Sequence, residues 1–205
     1  MKLVGIVGTN ATASTNRQLL QYMQQHFTDQ ATIEIGEIAP LPAFNEPEDR
    51  AVPAEVQVLS DQIEAADGVI FATPEYDHSI PAALKSAIEW LSYTTRPLIN
   101  KPVMIVGASN GSLGTSRAQT HLRQILEAPE LKALVMPNVE YFLGHSLQAF
   151  DEAGNLTDAD KAQELDADFM AFLAFIELTA KITPANKFVE KNQQFSWSQI
   201  TDGRD

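Results

Sequence analysis

The sequence predicts a doubly wound α/β fold, a parallel sheet with helices on both faces. Residues 3–7, 69–73 and 103–108 are short apolar runs without polar alternation, as in strands buried on both faces. Each is followed by a segment of helical period, and five such β-then-α units follow one another, which requires right-handed crossovers onto one sheet.

The first strand is LVGIV, residues 3–7. The stretch GTNATASTNRQLLQYMQQHF then passes from small polar residues to helical spacing, with Leu19, Leu20, Met23 and Phe27 on one face. Thr15 and Gln18 fit a capping box, so a helix is expected to begin at 14–16. TIEIGEI (32–38) is the second strand, and a Pro-rich connection, PLPAFNEP, leads to a helix over 54–66. VIFAT (69–73) is the third strand, with a helix from Pro81 to about Tyr93. Residues 103–108 form the fourth, with a helix over about 115–127, and 133–136 a short fifth. In a last helix, about 158–182, Leu165, Phe169, Phe172, Leu173 and Ile176 make a core-packing stripe. No linker divides the 205 residues, so one domain over 1–187 is expected, with a partly mobile tail over 188–205.

Composition narrows the function. With 44% apolar and 20% charged residues the chain can bury a sizeable sheet. A net charge of −13 repels phosphate backbones, so nucleic acid and anionic membranes are not expected partners, and an anionic ligand needs local donors. The absence of cysteine excludes disulfides, thiolate nucleophiles and Cys-ligated metal clusters, so redox chemistry would need an organic cofactor. His26, His121 and His145 show no ligand spacing, and no metal site is expected. No run reaches membrane-spanning length and the apolar N-terminus is short for a signal sequence, which points to the cytoplasm.

Ligands of such sheets bind outside the carboxyl ends of the strands, where the strand order reverses. Loop one, from Gly8 to Asn16, is small and hydroxylated and runs into a helix N-terminus, which suits a terminal monophosphate; an ordinary Ser/Thr-rich cap reads the same way. Loop two, TPEYDHSIP (73–81), is fixed by two prolines. Its backbone suits the polar edge of a planar heterocycle, with Tyr76 placed to stack; a plain rigid turn is the alternative. Loop three, GASNGSLGT (107–115), lets backbone approach a ligand closely. It also matches the G-x-S-x-G nucleophile elbow, with Glu140 and His145 in hydrolase order, but no oxyanion loop accompanies it. Asp77-His78-Ser79 makes an unpersuasive triad, because triads assemble from separate segments.

Together the loops resemble the NADPH-dependent FMN reductase family, which includes chromate, quinone and azo-dye reductases. TPEYDHSIPAALKSAIEWLS is similar to the family's T-P-E-Y-N-x-S-x-P-x-x-L-K-N-A-I-D-W, loop one to its G-S-x-R-x-x-S-x-N, and GASNGSLGTSRAQTHLRQIL to its third-loop pattern, over about residues 1–145. The resemblance implies a flavodoxin-like sheet of order 2-1-3-4-5 that binds FMN. Thr9, Ser14, Thr15 and Asn16 would hold its phosphate. Pro74, Glu75, Tyr76, Asp77 and Ser79 would line one side of the ring system, and Ser109, Gly111 and Gly114 the other edge. It implies hydride transfer from NAD(P)H to the flavin, then electron delivery to a small acceptor such as a flavin, quinone, azo compound or metal oxyanion, in a ping-pong cycle. No acid or base residue is assigned, and Arg17 and Arg117 are candidates for the dinucleotide phosphates. Three family residues differ: Ala11 stands for an Arg, Asp77 for an Asn whose amide could donate, and Ser86 for another Asn.

Leu84, Ala87, Ile88 and Leu91 share one helix face, and Trp90 and Ala83 lie off it. An exposed second apolar face there would suggest a subunit interface, and the family resemblance implies a homodimer or homotetramer. Two alternatives remain at this point: a flavodoxin-like FMN electron carrier without NAD(P)H turnover, and a Ser109-dependent hydrolase. A receiver-type domain would need acidic residues where the chain has Gly8-Thr9-Asn10.

Overall fold

The structure is a computed structural model that describes residues 1–182. The tail expected at 188–205 lies outside the described residues. Strands β1 (Lys2–Val7), β2 (Thr32–Glu37), β3 (Gly68–Ala72), β4 (Pro102–Ala108) and β5 (Leu134–Val135) form one parallel sheet in the order β2-β1-β3-β4-β5. Helices α1 (Thr15–His26), α2 (Ala54–Ala65), α3 (Ala82–Tyr93), α4 (Ser116–Leu126) and α5 (Ala159–Ile182) cover it. The strand order reverses between β1 and β3, and that break positions the site.

Successive strand residues point to opposite faces and enter two separate cores. Leu3, Val7, Ile70, Met104 and Val106 pack with Leu19 and Met23 of α1 and Phe169 and Phe172 of α5. Val4, Ile6, Phe71, Val103 and Ile105 pack with Leu59 of α2, Leu84 and Ile88 of α3 and Leu122 of α4. Burial on both faces is why the strands read as unbroken apolar runs. Each fully buried Leu, Ile, Val or Phe contributes about 1.5–3 kcal/mol, most of it offset by the entropy of ordering the chain.

The fifth strand departs from the expectation. Only Leu134–Val135 pair with Pro102–Val103; the chain then loops out and returns as β6 (Tyr141–Leu143), beside Val106, Gly107 and Ala108 of β4. The partner offset changes from 134 − 102 = 32 to 141 − 106 = 35, so three extra residues are accommodated. Pro137 has no N–H to give a ladder and Asn138 is left-handed (φ 60°), which breaks the strand there. As a result β6 carries the sheet edge up to the site end of β4.

Nor does α3 present a second exposed apolar face. Trp90 is 3% exposed, its Nε1–H donates to the Pro42 carbonyl (2.8 Å), and its ring meets Phe44 edge-on. Ala83 and Phe44 pack against the same core. The connection between β2 and α2 folds back over α3, so the chain itself covers the surface offered above as a subunit interface.

Candidate functional site

Loops one, two and three meet at the carboxyl edge of the sheet around a cleft of about 890 Å3. Ser14, and not Thr15, caps α1: its backbone is extended (φ −147°) and its Oγ accepts from the Arg17 N–H at 3.3 Å. Thr15 is the first helical residue. No acid occupies the first turn, and among the described residues the N–H groups of Thr15 and Asn16 have no acceptor. The positive end of the α1 dipole therefore opens on the cleft.

Two polar residues of loop one support it from behind. Thr9 is 1% exposed; its Oγ1 accepts from the Ala11 N–H (3.2 Å) and lies 3.3 Å from the Tyr76 hydroxyl. The Asn16 amide donates to the Ala108 carbonyl and accepts from the Ala108 N–H, both at 2.8 Å, which ties α1 to the end of β4. Arg17 is turned to its own chain, with Nε and Nη2 on the Glu37 carboxylate (2.6 and 2.8 Å) and Nη1 on the carbonyls of Ala11 and Thr12 (3.0 Å each). These bonds hold loop one in place, and Arg17 also lines the cleft.

Loop two owes its shape to a tight turn as much as to its prolines. Tyr76 and Ser79 exchange both backbone hydrogen bonds (3.0 and 2.9 Å), while Asp77 and His78 sit at φ 51° and 63°, the pattern of a type I′ turn. Asp and His are among the side chains that tolerate this conformation. The Asp77 and His78 N–H groups find no acceptor among the described residues, and both residues line the cleft. Tyr76 stands half exposed at its mouth, whereas Ser79 turns to His121 Nδ1 (3.1 Å).

Glu75 connects loop two to α4. Its carboxylate accepts from the Arg117 N–H (3.0 Å), the Ala118 N–H (3.3 Å) and Arg117 Nη1 (3.1 Å), and so caps a helix that has no side-chain cap of its own. Burial alone would raise the Glu75 carboxyl, but the hydrogen bonds from Arg117 and the two backbone groups outweigh it and hold it below its ordinary 4.5.

In loop three, Gly114 is left-handed (φ 60°) and lies so close to Phe142 that any side chain would overlap it. Gly111 is the opposite case: a Cβ there would meet nothing nearer than Ser109 Oγ at 4.0 Å, so its open side belongs to the cleft. Ser109 Oγ donates to the Gly114 carbonyl at 2.5 Å, and among the described residues no histidine bonds to it. The Ser–His pairing of a hydrolase is thus not formed at Ser109 among the described residues.

The sequence did not assign the segment after β6 to the site. His145 N–H donates to the Gly111 carbonyl (3.1 Å), and Leu147, 68% exposed, lines the cleft together with Leu113, 59% exposed. Gly144, directly after the short run YFL, was the available signal. A helix N-terminus with open N–H groups, a Gly-walled slot and a half-exposed tyrosine make a donor set that fits FMN: hydroxyls and amides for a phosphate, and room for a flat ring.

Comparison with known proteins agrees. A family model described as NADPH-dependent FMN reductase matches residues 1–148. The chain is 55% identical over 197 residues to NADH:(hydroxy)cinnamate reductase subunit CrdA of Vibrio ruber, covering 96% of this chain and 98% of that one. It is 45% identical over 187 residues to NADH-dependent flavin reductase subunit 2 of Lactobacillus johnsonii, covering 88% and 100%. Among solved structures it is similar to FerB, a flavoenzyme NAD(P)H:(acceptor) oxidoreductase from Paracoccus denitrificans, with TM-score 0.78, 28% identity, and coverage of 87% of this chain and 98% of that one.

Proposed function

This chain belongs to the NADPH-dependent FMN reductase family, and we propose that FMN lies in the three-loop cleft with its phosphate at the N-terminus of α1. It is a flavin-dependent NAD(P)H oxidoreductase, and bound FMN supplies the two-electron chemistry that its own side chains lack. The convergence of the three loops on one cleft carries the assignment.

The chain's residues bind and orient. Ser14, Thr15 and the open N–H groups of α1 take the phosphate, while Asn16 and Thr9 fix the loop that presents them. Pro74, Tyr76 and the backbone of Asp77 take one side of the ring, and Ser109, Gly111 and Gly114 the other edge. Glu75 and Ser79 hold loop two in place through α4. Arg117, also in the cleft wall and 47% exposed, attracts the phosphates of the nicotinamide donor. Leu113, Leu147 and Tyr76 offer an apolar rim to a small conjugated acceptor.

Two relatives are named as subunits, which supports assembly. We read the chain as a cytoplasmic homodimer or homotetramer, since its donor is an intracellular dinucleotide. Among the described residues no helix is long and apolar enough to cross a membrane.

Flavin fluorescence is the test of the site. Titrating FMN with protein should quench its emission at a one-to-one end point, with riboflavin bound more weakly because it lacks the phosphate. Unquenched FMN would remove the cofactor from the cleft, and equal affinity for the two flavins would remove the phosphate from α1.

A further inference from the structure

Ser146 follows β6 and is 1% exposed, yet its N–H and its hydroxyl both turn to segments that form the cleft, the start of α1 and loop three. Its N–H donates to the Ser109 carbonyl (2.9 Å), its Oγ donates to Asn110 Oδ1 (3.2 Å), and the same Oγ accepts from Thr15 Oγ1 (2.9 Å). Thr15 and Asn110 line the cleft, whereas Ser146 does not. One buried hydroxyl therefore joins the first residue of α1 to the tip of loop three, across 131 residues on one side and 36 on the other.

We propose that Ser146 is a positioning residue of the flavin cradle, which couples its phosphate end to its ring end. Thr15 gives its proton to Ser146 and so faces the cleft with lone pairs. To donate to a phosphate it must turn from Ser146, and the Ser146 hydroxyl then keeps only its bond to Asn110. Asn110 in turn has its oxygen fixed by Ser146, which leaves its amide N–H groups to the cleft. Occupancy at either end thus changes the partners of a hydroxyl that the other end uses, and buried hydroxyl networks of this kind act as a unit.

The test, resting on FMN binding in the cleft, is a set of FMN and riboflavin titrations on the full chain, with the unfolding midpoint of each variant recorded. Ser146→Ala should weaken FMN about tenfold, the effect of one lost buried hydrogen bond that orients the site. Ser146→Thr, which keeps the hydroxyl, should recover most of the loss. Asn110→Ala should act alike, and Ser146→Ala with Asn110→Ala should lose no more than the worse single variant, since coupled residues are not additive. Thr15→Val keeps Ser146 in its core, so it serves even where Ser146→Ala fails to fold. It should weaken riboflavin as well as FMN, although riboflavin has no phosphate for Thr15 to touch.

Losses that multiply, an unchanged FMN affinity in Ser146→Ala, or a Thr15→Val effect confined to FMN would each overturn the coupling. A parent chain that binds neither flavin would instead overturn the cofactor assignment, and the coupling with it.

Discussion

Glu75 shows how one side chain can serve both fold and site. Because its folded pKa is depressed, its contribution to stability is complete above the ordinary 4.5 and is lost as pH falls through the folded value. Glu75→Gln should therefore lower the unfolding midpoint at neutral pH, and the two chains should converge as the pH is lowered from neutral through 4.5 into acid. Parallel midpoint curves across that range would show that the carboxylate does not hold α4. The glycines give a second residue-scale prediction. Gly111→Val should abolish FMN quenching with the unfolding midpoint unchanged, because its side chain enters the cleft rather than the core. Gly107→Val should unfold the protein outright, since a Cβ there runs into the Thr115 side chain and the Thr73 carbonyl. A Gly111→Val variant that binds FMN normally would move the ring elsewhere. The residue types of loops one to three were legible in the sequence because small, hydroxylated and proline residues leave a local signature. The partners of Arg17 and Asn16 were not, since Glu37 and Ala108 meet them only through the fold.

At the scale of elements, strands β1, β3 and β4 and all five helices were legible, because burial on both faces and helical period both repeat within a few residues. The split of the fifth strand was not. Two and three residues are too few to carry a period, and only pairing with β4 defines them as one edge. The cover on α3 was missed for a related reason: Pro42 and Phe44 are far from Trp90 in the chain, and a helix face that reads as apolar does not reveal which neighbour buries it. This makes a distinct prediction. Trp90→Ala should cost about 3–5 kcal/mol in urea unfolding, while the oligomeric state by size exclusion stays that of the parent. Dissociation without loss of stability would return Trp90 to a subunit interface.

For the whole molecule, the proposed site lets a charge of −13 and an anionic ligand coexist by supplying donors locally: a helix N-terminus, a type I′ turn with open N–H groups, and hydroxyls that need no net positive field. The parallel sheet brings these parts together at the break in strand order, and the returning edge strand β6 adds a fourth segment to the three loops. The measurement that tests this most directly is the anaerobic absorbance spectrum of the protein with one equivalent of FMN, before and after NADH or NADPH. Bleaching of the flavin band, much faster than with free FMN and saturating in the nucleotide, is the expected result. A bound flavin whose band neither nucleotide bleaches would contradict it.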